Sequence, residues 1–287
     1  MVGGGPAGML AAVYLARFCR RVALFDHGRS RARWIPRTRN VPAYPDGVAG
    51  QALLERLAEQ LGRYDVQRSE EPVSSLHGAS GEFTINSRLR ARRVLVATGV
   101  EDIMPPDLEY LWPLVKRAQV RLCPVCDAFE LCGKRIGVLA RGEHGLREAR
   151  FLLNFTSEVS LLSHGAGHCD PGKLAGDRIR LVEGTLRQVI PAEGELGVLF
   201  TDGEVLKLDA LYVGFGVRVR SELARSLGAR CDSAGYLEVD QQQRTSVAGL
   251  YAAGDVAHSL SQISVAFGQA AIAASAINVS LNAERWP

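Results

Sequence analysis

The sequence predicts an α/β fold built from two βαβ units of the dinucleotide-binding kind. Met1-Val2-Gly3-Gly4-Gly5-Pro6-Ala7-Gly8 places Gly3, Gly5 and Gly8 at G-x-G-x-x-G spacing ahead of an apolar helix. A second strand, turn, helix and strand run from Arg135 to Leu162. A chain of 287 residues, 47% hydrophobic and 23% charged, has an ordinary globular composition and room for two domains.

The first unit opens on the glycines, which permit a tight turn and let backbone approach a pyrophosphate at the head of the next helix. That helix is expected from Leu10, Val13, Tyr14 and Leu15 to about Phe18. Val22 to Phe25 reads as a strand, and Asp26 at its end stands where an acid binds an adenosine ribose. Only Met1 and Val2 remain for the strand before the glycines, which normally lies mid-sheet: either the start codon is placed too late or the fold tolerates a truncated first strand, with weakened cofactor retention as the consequence.

Arg29 to Arg39 is an arginine-rich, Pro-interrupted loop, continued from Asn40 to Gly50 with Pro42, Pro45, Gly47 and Gly50, able to meet phosphate or simply to face solvent. From Gln51, Leu53, Leu54, Leu57 and Leu61 recur at helical spacing. Strands are expected at Val73 to Leu76, Phe83 to Ile85 and Arg93 to Ala97, the last running into Thr98-Gly99, and a short helix at Leu108 to Lys116. In the second unit Arg135 to Ala140 is a strand, Gly142 to Leu153 a helix and Glu158 to Leu162 a strand. Its turn keeps Gly142 and Gly145, while Ala140 stands at the first glycine. Ser163-His164-Gly165-Ala166-Gly167-His168 follows, without the acid for a ribose or the arginines for a 2′-phosphate. Further strands are expected at Val198 to Thr201, Ala210 to Val213 and Ala248 to Ala252, before Gly254-Asp255. The apolar run Ile263 to Leu281 reads as a helix whose small residues suit close packing and whose Gln269, Ser275 and Asn278 argue against a membrane span.

Between the units lies Cys123-Pro124-Val125-Cys126-Asp127. A C-x-x-C pair closes a small disulfide and commonly lowers one thiol pKa, which points to redox chemistry. The alternatives are half of a zinc site or two inert core thiols; Cys19, Cys132, Cys169 and Cys231 are scattered singly, and His164, His168 and Cys169 make a poor ligand set. The net charge of +3 comes from dispersed arginines and gives little support for nucleic-acid binding. Six cysteines are too few for a disulfide-dense secreted scaffold, and no basic-then-apolar leader follows Met1, so a cytoplasmic protein without a membrane span is expected.

Four motifs in order, Gly3 to Gly8, Ala97-Thr98-Gly99, Cys123 to Asp127 and Ala252-Ala253-Gly254-Asp255-Val256, resemble the low-molecular-weight thioredoxin reductase family over nearly the whole chain. The resemblance implies a discontinuous FAD-binding domain (1–118 and 241–287) and an inserted NAD(P)-binding-type domain (119–240) carrying the dithiol. It implies FAD held by Gly3, Gly5, Pro6, Ala7, Gly8, Asp26, Thr98, Gly99, Gly254, Asp255, Ser261 and Gln262, and NADPH or NADH at Gly142 and Gly145. Cys126 would face the flavin, Cys123 would attack the substrate disulfide, and Asp127 would manage protons. Thioredoxin or a similar protein would be the partner, and a homodimer the usual assembly. The missing basic cluster after the second strand keeps a ferredoxin-linked reductase or a dithiol oxidase as alternatives, with a non-catalytic flavin redox sensor as a third.

Overall fold

The computed structural model describes residues 1–79, 81–164, 171–174 and 176–284. The chain forms two compact units: Met1–Arg33, Val41–Glu101 and Arg218–Pro287 make one, Trp34–Asn40 and Asp102–Val217 the other. These exchange points differ from 118/119 and 240/241. Leu108, Leu111, Leu114 and Val115 are buried with the second unit's sheet, which draws the stretch after Glu101 into that unit.

In the first unit, α1 (Pro6–Arg17) leaves the glycine turn and β1 (Val22–Phe25) follows, then α2 (Gly50–Leu61) and β2 (Val66–Ser69). An antiparallel trio, β3 (Leu76–Ala79), β4 (Glu82–Ile85) and β5 (Leu89–Ala91), precedes β6 (Val94–Val96) and β7 (Val100–Asp102). The expected strand at Val73 begins only at Leu76, because Asn86 holds the preceding segment as a loop, accepting from the Ser74 amide at 2.9 Å and donating to the Pro72 carbonyl at 2.9 Å. β1 pairs with β2, and Val2 bridges in parallel to Phe25 on one side and Val96 on the other. Val2 donates to the Leu95 carbonyl at 2.9 Å and Ala97 donates to the Val2 carbonyl at 2.8 Å. The two residues before the glycines therefore do fill the middle of the sheet.

The second unit opens with a 3₁₀ turn (Pro106–Leu111) and α3 (Trp112–Lys116), the one expected helix being split where Pro113 restarts it. β8 (Val120–Arg121), α4 (Pro124–Asp127), β9 (Ile136–Ala140), α5 (Gly142–Leu152), β10 (Val159–Ser163) and β11 (Ile179–Val182) follow. An antiparallel trio, β12 (Leu186–Pro191), β13 (Leu196–Phe200) and β14 (Val205–Leu208), leads into β15 (Ala210–Gly214). The parallel sheet runs β11-β10-β9-β15-β8. Strand residues alternate between faces. Ile136, Val138, Leu161 and Tyr212 pack against Leu146, Ala149 and Leu152 of α5, whereas Leu139, Leu162 and Leu211 pack with Leu108 and Leu111 and with Val198 and Leu208 of the antiparallel trio.

The chain returns to the first unit through β16 (Val217–Val219), α6 (Glu222–Arg225), β17 (Leu250–Ala252) and α7 (Ile263–Ala283). β17 pairs in parallel with β6. By length and composition α7 could cross a membrane, yet its Ala266, Ala270, Ala273, Ala274 and Ile277 are buried with Ala11, Ala12 and Val13 of α1 in one core. Small side chains let the two helices approach closely, which is the reason for the alanine-rich composition.

Candidate active site

In the first unit the glycine turn, the end of β6 and the turn after β17 come together. Gly3 has φ +107°, and a Cβ there would lie 2.2 Å from the Ala97 carbonyl oxygen and 3.0 Å from the Thr98 nitrogen. A Cβ on Gly8 would lie 1.8 Å from the Gly3 carbonyl oxygen, so α1 is seated directly on the turn. A Cβ on Gly254 would meet the Ala7 methyl at 3.0 Å, which puts Gly254-Asp255 beside the first turn of α1. Asp26 lies over Gly4 and accepts the Gly28 amide at 2.9 Å.

α1 begins without a capping side chain and without an acid in its first turn. Among the described residues no side chain caps this positive end, and the residues fit a dinucleotide pyrophosphate. Ser261 and Gln262 sit at the head of α7, where the Ala266 amide donates to the Gln262 carbonyl at 3.0 Å. Thr98 donates its hydroxyl to the Arg220 carbonyl at 2.5 Å, and Gly99 takes φ +66°. Two supports escaped the sequence: Gln269 of α7 accepts the Gly254 amide at 2.7 Å, and Arg31 stands 3.8 Å from Asp255.

In the second unit Gly142 (φ +57°) has open space where a Cβ would be, while a Cβ on Gly145 would meet the Ala140 methyl at 2.4 Å, so α5 packs tightly on β9. A Cβ on Gly214 at the end of β15 would lie 2.2 Å from Glu148 Oε2, a buried oxygen without a hydrogen-bond partner among the described residues. A glycine turn with an orphaned buried oxygen beside it fits a bound nucleotide group. The electrostatics differ from those of the first turn. Glu143 lies in the first turn of α5, where Lys173 bonds it and holds its carboxyl below the usual range. His164 stands 2.8 Å from Asp107. His168 and Cys169 lie outside the described residues.

Cys123 and Cys126 are joined in a disulfide, Cys123 standing directly before α4. The bond takes up the thiolates that the zinc alternative needs. Asp127, the next residue, is held from two sides. Arg121 Nη1 lies 3.0 Å from its Oδ2 and also donates to its backbone carbonyl at 3.0 Å, while the Tyr212 hydroxyl donates to its Oδ1 at 2.7 Å. Burial pushes the Asp127 carboxyl above its usual range, Arg121 and Tyr212 opposing the shift and Glu130 adding to it. Burial, then the Asp127 charge, pushes the Tyr212 phenol up as well. Neither partner was singled out from the sequence; the only trace of Tyr212 was one hydroxyl within the apolar run Ala210-Leu211-Tyr212-Val213.

Two units of dinucleotide-binding type, one of them bearing a redox disulfide beside a partly buried acid, define a disulfide oxidoreductase. The match to a family places it further. Residues 1–270 fit the model of the pyridine nucleotide-disulphide oxidoreductases, and the chain belongs to that family. It is similar to a thioredoxin reductase of Mycolicibacterium smegmatis, 30% identical, with 100% of this chain and 95% of the relative covered. It is 27% identical to NADPH-dependent thioredoxin reductase 3 of Arabidopsis thaliana, where it spans 57% of that relative's length and 100% of its own. The crystal structure of HlmI superposes with a TM-score of 0.88 at 28% identity, covering 99% of this chain and 92% of that one. The protein is an FAD-dependent disulfide oxidoreductase of the thioredoxin-reductase type.

Proposed function

We propose that the Cys123–Cys126 pair passes electrons from a nicotinamide nucleotide, through FAD, to the disulfide of a thioredoxin-like protein. The disulfide closed beside Asp127 carries the reading. Gly3, Gly5, Pro6, Ala7, Gly8, Asp26, Thr98, Gly99, Gly254, Asp255, Ser261 and Gln262 are the residues that would hold FAD, which would supply the two electrons that reduce the pair. With the pair reduced, the Cys123 thiolate attacks one sulfur of the substrate disulfide; that bond breaks and the departing substrate sulfur takes a proton. Cys126 then attacks the Cys123 sulfur of the mixed disulfide, releases the second substrate thiol and restores the Cys123–Cys126 bond. Asp127 beside Cys126 holds and returns the proton.

Val125 and Phe129, apolar and exposed next to the pair, suit a macromolecular substrate. Gly142, Gly145 and Glu148 are the residues that would hold the nicotinamide nucleotide. The homodimer and the cytoplasmic location belong to the same proposal.

A second reading, a dithiol oxidase or ferredoxin-linked reductase, draws on one observation: His164, at the end of β10, is paired with Asp107 instead of standing in a basic cluster. Anaerobic titration of the FAD-loaded protein with NADPH and with NADH separates the two. Bleaching of the flavin band by either nucleotide supports the first; bleaching by a small dithiol alone supports the second. Cys123→Ser and Cys126→Ser each keep FAD and lose multiple-turnover disulfide reduction.

A further inference from the structure

Arg121 and Tyr212 are register partners in the parallel pairing of β8 with β15, so their side chains leave the sheet on the same face. That face is the one covered by α5 and by the turn after the dithiol, where Ala128 and Leu131 are buried with Tyr212. Both side chains end on Asp127, one on each carboxylate oxygen, and Tyr212 is 0% exposed. An acid that must exchange a proton with a neighbouring thiol is thereby fixed in orientation by a cross-strand pair. The arrangement also makes the proton affinity of the acid depend on a phenol in the middle of the sheet.

We propose that Tyr212 is a positioning residue which, with Arg121, aims Asp127 and tunes the pH at which it exchanges a proton with the Cys123–Cys126 dithiol. The inference rests on the disulfide-reductase reading above. The groups facing Asp127 are Arg121 from β8, Tyr212 from β15 and Glu130 from the turn that follows it. A hydrogen bond donated to the carboxylate favours its charged form, as does the guanidinium, while burial and Glu130 favour the neutral one. The sign follows: removing the phenol hydroxyl raises the Asp127 pKa and leaves the acid protonated to a higher pH.

The test uses the full-length, FAD-loaded protein labelled with ¹³C-carboxyl aspartate, the Asp127 resonance being assigned by its loss in Asp127→Asn. Tyr212→Phe, which keeps the ring, is expected to raise the titration midpoint of Asp127 by about one pH unit, and the pH profile of disulfide turnover is expected to move with it. Arg121→Gln is expected to raise the midpoint further, because the nearest positive charge goes, and it tests the same pairing if Tyr212→Phe does not fold. In the Asp127→Asn background Tyr212→Phe is expected to leave the pH profile where it was.

A merely structural Tyr212 would lower stability and rate without moving either midpoint, and that result overturns the proposal. A moved Asp127 midpoint with an unmoved turnover profile overturns it too. Absence of turnover in the wild-type protein with every disulfide and dithiol tried would instead overturn the reductase reading, while the carboxyl titration would still decide whether Tyr212 tunes Asp127.

Discussion

The two glycine turns share a spacing and differ in charge. At the head of α1 the turn carries Gly3, Gly5 and Gly8, no acid in the first helical turn, and Asp26 waiting at the end of β1. At the head of α5 the first glycine is Ala140, an acid occupies the first turn, and the strand that follows runs out into His164, paired to Asp107. The close contact at the third glycine has been kept in both, because close packing of helix on strand is a condition of the fold. Electrostatic fitness for a dinucleotide is a condition of binding alone, and of the two helices α1 is the one without an acid in its first turn.

The comparison breaks most readily at the two packing glycines. Gly8→Ala puts a methyl into the backbone carbonyl of Gly3, with no flexible atom to give way, and is expected to cost about 3 kcal/mol of stability together with FAD retention. Thermal unfolding and flavin content after gel filtration measure both; an unchanged flavin content would refute the placement of the pyrophosphate. Gly145→Ala meets side-chain carbons, the Ala140 methyl at 2.4 Å and Leu161 Cδ1 at 3.4 Å, so a loss of about 1–2 kcal/mol is expected. FAD content should stay normal, and the protein should need far more nicotinamide nucleotide to bleach its flavin.

Smaller changes sharpen the contrast in charge. His164→Arg adds a permanent cation and is expected to improve NADPH over NADH by roughly fivefold, read from the two bleaching titrations. No change in that ratio would mean that the end of β10 does not meet the 2′-phosphate. Glu143→Gln removes the acid from the positive end of α5 and is expected to tighten nucleotide binding about twofold, the smallest of the four effects. Its fall-off with added salt would mark the effect as electrostatic.

Much of the architecture was legible in sequence because it rests on local patterns. The 3.6-residue spacing of Leu53, Leu57 and Leu61 and the apolar run Ile136–Ala140 specify a helix and a strand whatever surrounds them. The helix expected at Leu108 to Lys116 was divided because a proline restarts it at Trp112-Pro113, and the strand expected at Val73 was delayed by Asn86, whose bonds reach back twelve and fourteen residues. The candidate site divides in the same way. Glycines and cysteines announce themselves through spacing, whereas Gln269 acts on Gly254 from fifteen residues away and Tyr212 on Asp127 from eighty-five.

The sequence by itself determined that two dinucleotide-type units and a C-x-x-C pair followed by an acid exist in this chain, since each is written within a few contiguous residues. Tertiary structure alone decided that Val2 bridges Phe25 on one side and Val96 on the other. A single residue bonded on both sides holds that place through its neighbours and not through its own length. Tertiary structure also decided the surroundings of Asp127. Its proton affinity is set by burial and by two side chains on separate strands, and their register brings together residues that no local pattern connects.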